Sequence, residues 1–276
     1  MNEFDASNCR ELRKRIFTVA YKGGMGHIAS CFSSVEIIYT LLQKGVVKHN
    51  PQNPNDVNRD RFVLSKGHAG LALYTVLEMA GYIKKEEVDT YLKPNAIIGG
   101  EPNFGDAPGI EVSSGSLGHG LSIAVGMAIA QKYDGNGAKT FVLIGDGESQ
   151  EGTIWEAAMS ASSFCLDNLI VVLDCNQLQK TNRIDETVGY ICWKEKWEAF
   201  GWNVYEVDGH DIDDMYKLFS NLTFEGRPTI VVANTIKGKG VSIMEGVPKW
   251  HFKMPNKKEL KYFIEELQIS EEELEV

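Results

Sequence analysis

The feature that most constrains the fold is a series of short apolar runs, each separated from the next by a segment with helical periodicity. In chain order the runs are RFVLS (61–65), KTFVLIGD (139–146), NLIVVLDCN (168–176), WNVYEVDG (202–209) and TIVVANTI (229–236). Strands that are apolar throughout, rather than at every second position, are typical of a parallel sheet with both faces covered. The sequence therefore predicts an α/β fold with a doubly wound, mostly parallel sheet and helices on both faces.

The chain is predicted to form a single domain over residues 1–276, because it shows no internal repeat and no interdomain linker. A chain of this length can bury a sizeable core. Helical periodicity begins near residue 6, and a second helix is expected to open at Ser33, which has capping-box spacing to Glu36. The last residues, about 256–276, are expected to form a helical surface tail with a frayed acidic end.

The composition argues against several classes of function. The formal net charge is -10, whereas a nucleic-acid surface needs clustered Lys and Arg. The five cysteines show no C-x-x-C spacing, which fits free thiols in a reducing compartment. The N-terminus lacks the pattern of a signal peptide, and no run approaches the roughly 20 apolar residues of a membrane span. We therefore expect a cytoplasmic protein that binds neither nucleic acid nor membrane.

An unusual aspartate stands where one of the predicted strands ends, in the stretch VLIGDGESQEG (142–152). Asp146 lies between Gly145 and Gly147, and Asn176 ends the next strand. In open parallel sheets, ligands bind beyond the carboxyl ends of the strands. Two oxygen-bearing side chains there suit Mg²⁺ or Ca²⁺, and small glycines allow a bulky anion to approach the backbone. The alternative is a tight turn in which Asp146 is a helix cap.

Four histidines lie in short distinctive segments: His27 in GGMGHIAS, His68 in SKGHAG, His119 in GSLGHG and His251 in PKWHFK. A single histidine is more often structural than catalytic. The first three are in glycine-rich turns before helices, where backbone N–H groups form anion sites. This arrangement favours a phosphorylated ligand, beside which a neutral imidazole could transfer protons near pH 7.

Taken together, the motifs resemble the thiamine-diphosphate-binding half of transketolase. The matching segments are GHIAS, RFVLSKGHAGLALY, PGIEVSSGSLGHGLSIAVGMA, GDGESQEGTIWEAAM, LDNLIVVLDCNQLQ, GWNVYEVDGHD and NTIKGKGVSIMEG followed by WH. Any one segment could match by chance, but the ordered set is specific and extends from about residue 10 to 255.

The resemblance implies a site for thiamine diphosphate and a divalent cation, Mg²⁺ (or Ca²⁺ or Mn²⁺). The implied metal ligands are Asp146, Asn176 and the backbone carbonyl of Leu178. The residues implied to contact the cofactor are His68, Gly115, Leu117, Gly145, Asp146, Gly147 and Asn176. The residues implied to act in catalysis are His27, His68, His251 and Glu151. Of these, Glu151 matches an acid at the dimer interface that hydrogen-bonds a catalytic glutamate.

That catalytic glutamate belongs to a second, pyrimidine-binding domain, which this sequence does not contain. The resemblance is to the first chain of a split transketolase, a transferase that moves a two-carbon ketol unit from a ketose to an aldose. It implies that a second transketolase chain carries the pyrimidine-binding and C-terminal domains and much of the site for sugar phosphates. It further implies an enzyme that is active only with this partner, assembled as a dimer of heterodimers (a heterotetramer).

Three positions depart from the family pattern. Gly100 stands about where the family has the histidine of a Gly-His-Pro motif that touches the donor sugar. Phe252 follows His251 where a glycine is usual, and Lys180 is close to where an apolar residue flanks the thiazolium ring. These changes are compatible with a specialised ketose, such as a branched or sulfonated sugar, and equally with neutral drift.

Other functions stay open on the sequence alone. Another thiamine-diphosphate enzyme is the nearest, either a deoxyxylulose-phosphate synthase or the first component of a 2-oxoacid dehydrogenase. A non-catalytic scaffolding chain is a second alternative, against which the Gly-Asp-Gly and Asn176 pair argues. A plain mononucleotide-binding protein is disfavoured, since neither G-x-x-x-x-G-K-[ST] nor G-x-G-x-x-G occurs.

Overall fold

The structure, a computed structural model, describes residues 2–274 and is built on a five-stranded sheet. The strands are β1 (Arg61–Leu64), β2 (Thr140–Gly145), β3 (Leu169–Cys175), β4 (Asn203–Asp208) and β5 (Thr229–Asn234). They lie in the order β1-β2-β3-β5-β4, and every neighbouring pair is parallel. The parallel sheet predicted from the apolar runs is confirmed.

The helices described between residues 2 and 274 precede the first strand, connect the strands and follow the last strand. They are α1 (Glu3–Gly23), α2 (Ile28–Gln43), α3 (Gly70–Ala80), α4 (Lys85–Val88), α5 (His119–Asp134), α6 (Gly152–Ser163), α7 (Ile184–Val188), α8 (Trp193–Ala199), α9 (Ile212–Ser220), α10 (Lys257–Leu267) and α11 (Glu271–Leu274). Single 3₁₀ turns occur at Gly67–Ala69, Glu148–Gln150 and Pro248–Trp250. In this part of the chain, none of the helices combines the length and apolar character that crossing a membrane requires.

Each face of the sheet is covered by its own helices, as predicted. Helices α1, α2, α3, α9 and α10 contribute to one core, into which Leu143 and Val172 point. Helices α5, α6 and α8 contribute to the other, which receives Val142 and Ile144. Because successive residues of a strand point to opposite faces, a strand buried on both sides is apolar throughout. Burying each such side chain is worth about 1.5–3 kcal/mol.

Helix α2 begins five residues earlier than the sequence suggested. It starts at Ile28, directly after the glycine-rich turn, and Ser33 and Glu36 lie within its buried middle. Ser33 donates a hydrogen bond to Asp174 (2.7 Å), and Glu36 pairs with Arg13 (2.6 Å). The capping-box interpretation was wrong because both side chains have tertiary partners, which a local pattern cannot show.

The C-terminal helix α10 docks against the core. Asn256 caps it, and the side chain of Glu259 completes a capping box. Phe263 is fully buried and stacks on Phe17 of α1, with ring centroids 4.5 Å apart. The acidic end predicted to fray includes residues 275 and 276, which lie outside the described residues.

Candidate active site

The carboxyl ends of the strands open into a cavity of about 420 Å³. Parallel strands bring their carboxyl ends to one edge, so residues distant in sequence meet there. The cavity is lined by His27, Lys66, His68, Glu101, Gly115, Leu117, Gly145, Asp146, Gly147, Glu148, Asn176, Leu178, Gln179, Lys180, Thr181, Lys237 and His251. Of the residues that the resemblance implies for the metal, the cofactor or catalysis, Glu151 alone lies outside this lining.

Three oxygen donors lie together in the cavity, contributed by Asp146 after β2 and by Asn176 and Leu178 after β3. The Asp146 carboxylate accepts hydrogen bonds from the backbone amides of Gly147 (2.8 Å) and Gln177 (2.5 Å). Burial, with the charge of Asp174, raises the pKa of Asp146 to about 7. A carboxylate, an amide oxygen and a carbonyl form a ligand set suited to a hard divalent cation, whose charge would offset the burial of Asp146.

Three histidines form a triangle on one wall of the cavity. The ring centroids of His27, His68 and His251 are 5.3–5.7 Å apart. Burial and the neighbouring lysines lower the pKa of His27 to about 4 and that of His251 to about 3, and they lower the pKa of His68 well below its ordinary value. In this arrangement the rings are neutral hydrogen-bonding groups at pH 7, rather than groups that titrate there.

His119 is separate from this triangle. It is exposed at the start of α5, where its ring lies 3.1 Å from the hydroxyl of Ser116. Its place in a glycine-rich turn resembles that of His27 and His68, so the motif alone could not distinguish them.

Two buried lysines at the site were missed by the sequence reasoning. Lys66, 1% exposed, forms an ion pair with Asp174, which also accepts hydrogen bonds from Ser33 and Thr235. Lys237, 3% exposed, donates to the carbonyl oxygen of Leu178 (3.3 Å). Both lysines lie in the quoted segments SKGH and IKGKG, but lysine is so seldom fully buried that neither was singled out.

Lys237 places a buried positive charge on the lining of the cavity. Its Nζ atom is 3.1 Å from the Nδ1 atom of His251, which accepts its hydrogen bond. Burial and the charge of Lys66 lower the pKa of Lys237 to about 8, while Asp146 and Asp174 act in the opposite direction. The amine is therefore mostly protonated at pH 7, beside the oxygen donors.

Glu148, which the sequence reasoning also missed, links three loops around the cavity. Its buried carboxylate accepts hydrogen bonds from the Ser65 hydroxyl (2.5 Å) and from the backbone amides of Gly118 (2.8 Å) and Gly145 (3.0 Å). Burial raises the pKa of this carboxyl. Glu148 thus holds the turns after β1 and β2 against the loop that carries Gly115 and Leu117.

Residues at or next to the three departures from the family pattern lie at or near the cavity. Glu101, rather than the neighbouring Gly100, lines the cavity, and it directly precedes Pro102. The Phe252 ring lies 4.5 Å from that of His27, and Lys180 is on the lining. Glu101, next to Gly100, therefore adds a carboxylate to the wall of the cavity.

Glu151 is exposed at the cap of α6. Its side chain packs beside Gly118, where a Cβ atom would lie 3.0 Å from that of Glu151. The carboxylate makes no hydrogen bond or ion pair with any of residues 2–274.

Comparison with known proteins agrees with this geometry. Residues 8–274 match the family model described as "Transketolase, thiamine diphosphate binding domain". The chain is 40% identical over 264 residues to one of the subunits of the apulose-4-phosphate transketolase of Phocaeicola vulgatus, covering 95% of this chain and 93% of that protein. It is 40% identical over 236 residues to the 6-deoxy-6-sulfo-D-fructose transketolase subunit SqwG of Clostridium sp., covering 85% and 86%.

Solved structures show the same similarity. The transketolase of Campylobacter jejuni superposes with a TM-score of 0.87 at 29% identity, covering 97% of this chain. The match accounts for 43% of that longer chain, so this chain spans less than half the length of that transketolase. The chain belongs to the transketolase family, and residues 8–274 form the thiamine-diphosphate-binding domain of that family.

Proposed function

We propose that this protein is the cofactor-binding subunit of a two-chain transketolase that uses thiamine diphosphate and Mg²⁺. With its partner it transfers a two-carbon ketol unit from a ketose to an aldose. The observation that carries the proposal is the convergence, in one cavity, of three oxygen donors with two buried lysines, Lys66 and Lys237.

The residues present fit both the metal and the diphosphate. Asp146, Asn176 and the carbonyl of Leu178 would hold the cation, with Mg²⁺ favoured because it shares oxygen ligands with phosphates. The Leu178 carbonyl oxygen already accepts a hydrogen bond from the cationic side chain of Lys237. Gly145 and Gly147 leave room for the diphosphate, as expected from their lack of side chains.

Bound thiamine diphosphate would supply the electron sink for cleaving and forming carbon–carbon bonds. The part of this chain is to bind and orient it. Gly115 has φ +126, and a Cβ atom there would lie 2.0 Å from the Glu101 carboxylate, so only glycine leaves space at this wall. The neutral rings of His27, His68 and His251 can hydrogen-bond substrate hydroxyls without adding charge.

A second chain is expected to cover α5 and α6. These helices, with the residue that ends α6, expose the apolar side chains of Ile123, Met159 and Phe164, which are 41%, 54% and 59% accessible. Glu151 lies beside this surface with its carboxylate free among the described residues, in a position to meet a group of the partner. We infer that the partner supplies the catalytic glutamate and completes the site, in a dimer of heterodimers in the cytoplasm.

The substrate is proposed to be a specialised ketose. Apulose-4-phosphate and 6-deoxy-6-sulfo-D-fructose, named for two relatives, are both sugars that carry an anionic group. In this chain Glu101, Lys180 and Phe252 form the part of the site where the family pattern changes, so we infer that they select the donor sugar.

Titration of thiamine diphosphate into the chain in the presence of Mg²⁺, with and without its partner, tests the cofactor assignment. Asp146→Ala should weaken cofactor binding by at least about 100-fold, because a metal ligand is lost. Asp167→Asn is the matched control, since Asp167 pairs with Lys132 at the opposite edge of the sheet. Unchanged binding by Asp146→Ala would exclude the proposed site.

The reaction is tested by offering the assembled complex ketose phosphates, a sulfonated ketose and pyruvate in separate assays. Ketol transfer to an aldose phosphate is expected with one of the ketoses. Consumption of pyruvate alone would contradict the proposal and indicate a synthase or a 2-oxoacid dehydrogenase component instead.

A further inference from the structure

The buried lysine Lys237 is carried by a loop, residues 235–246, which follows β5 and which we call the Lys237 loop. Its backbone is held at several points: Gly238 donates to the carbonyl of Ala29 (3.0 Å), and Gly246 donates to that of Lys237 (2.9 Å). Gly240 packs against Arg13, where a Cβ atom would lie 2.9 Å from the arginine side chain. The position of the Lys237 side chain therefore depends on the contacts that hold the backbone of this loop in place.

The anchor next to the lysine is His210, which lies in the segment GWNVYEVDGHD and has no role in the site as described so far. The backbone amide of Ile236 lies 2.8 Å from the Nε2 atom of His210, and the Nδ1 atom of that ring lies 2.9 Å from Glu36. A backbone amide can only donate, so Nε2 must be unprotonated. The ring proton is therefore on Nδ1, which donates to the Glu36 carboxylate.

Glu36 is itself held in place by a second pairing. Arg13 forms two hydrogen bonds to the carboxylate, of 2.6 and 2.7 Å, and a third to the carbonyl of Phe32 (2.9 Å). Burial alone would raise the pKa of Glu36, but Arg13 and His210 together lower it to about 2. The Glu36 carboxylate therefore only accepts hydrogen bonds. Arg13, Glu36, His210 and the Ile236 amide form a chain of hydrogen bonds, which we call the relay, and this chain has one arrangement of protons.

We propose that His210 is a positioning residue: its Nε2 atom fixes the Ile236 amide and thereby holds Lys237 at the candidate active site, while Glu36, held by Arg13, keeps the ring proton on Nδ1 so that Nε2 can accept. The relay joins α1, α2, the turn after β4 and the Lys237 loop. The inference rests on the proposed function only for the identity of the anion that Lys237 meets.

Two substitutions separate the two hydrogen bonds of the ring. In His210→Gln the side-chain oxygen can reach the place of Nε2 and accept from Ile236. In His210→Asn the shorter amide lies near Nδ1, so it keeps the bond to Glu36 but leaves the Ile236 amide without its acceptor. The hydrogen bond from Ile236 to His210 is exposed to solvent, so water can partly replace it, and its loss is worth about 1 kcal/mol, or about fivefold in an equilibrium constant.

The test combines two measurements on the full chain with Mg²⁺. His210→Asn should speed amide exchange across the Lys237 loop and raise the Kd for thiamine diphosphate, each by about fivefold. His210→Gln should stay within about twofold of the unmodified chain in both. Equal losses of affinity in the two variants, or unchanged exchange in His210→Asn, would overturn the proposal.

A failure of this proposal can be distinguished from a failure of the proposed function. If the unmodified chain does not bind thiamine diphosphate, the function fails, while exchange in the Lys237 loop still tests the anchor. Nitrogen chemical shifts of His210 provide a second check, since they must show the proton on Nδ1. A proton on Nε2 would overturn the relay whatever the cofactor.

Discussion

The buried carboxylate of Glu148 offers a sharp test of how the site is held together. In Glu148→Ala, two backbone amides, those of Gly118 and Gly145, and the hydroxyl of Ser65 lose their acceptor. Each buried donor left unsatisfied costs about 1–3 kcal/mol. With partial relaxation and water entry, we expect the free energy of unfolding to fall by about 3–5 kcal/mol.

Glu148→Gln separates the shape of the side chain from its hydrogen bonding. One oxygen remains to accept, but the new NH₂ group faces a donor, so we expect a loss of about 1–2 kcal/mol. Glu156→Ala on the exposed face of α6 is the control, with a change of no more than about 0.5 kcal/mol. Urea unfolding of the chain measures all three variants. A Glu148→Ala variant within about 1 kcal/mol of the unmodified chain would refute the reasoning.

Three further predictions concern stability and are measured by urea or thermal unfolding. Lys66→Met should cost about 3–5 kcal/mol, because it leaves Asp174 charged and buried, and a loss below about 1 kcal/mol would contradict a buried pair. In α5, Gly120→Ala should destabilise the chain by about 1–3 kcal/mol, since the added Cβ atom would lie 2.5 Å from the Ser65 hydroxyl. Gly126→Ala in the same helix is the control: the space there is open, so it should stabilise the chain by about 0.5–1 kcal/mol. The part of the stability that depends on His251 should fall by about 1 kcal/mol as the pH drops from 7 to 5, a figure already halved for the partial exposure of the ring, because the unfolded ring binds a proton below about pH 6.5 and the folded ring does not. Asp146, whose pKa is raised in the folded chain, acts in the opposite direction, so the His251 contribution is measured as the difference in pH dependence between the unmodified chain and His251→Gln.

The sheet and the oxygen donors could be predicted because both follow local rules. Apolar runs predict buried parallel strands, and polar residues directly after such runs meet at one edge. Asp146 and Asn176 were found in this way, and the structure places both on the cavity. The start of α2 was misplaced because Ser33 and Glu36 serve distant partners, Asp174 and Arg13.

The charged residues that support the site could not be predicted by the same reasoning. Lys66, Glu148 and Lys237 are buried only because groups from other elements surround them, and burial of a charge depends on tertiary structure. His210 presents the same difficulty, since its two hydrogen bonds reach Glu36 and Ile236, far apart in sequence. A charged residue beside a glycine, directly after a predicted strand, is the signal that could have identified the two lysines.

The order of the strands also bears on how the chain folds during synthesis. Strand β4 is made before β5 but pairs only with it, since β5 lies between β3 and β4. A ribosome-bound chain that ends within α9 therefore lacks β5, the strand with which β4 pairs. Lys237 and His251 emerge later still, so the cavity can form only after the chain up to residue 251 has left the ribosome.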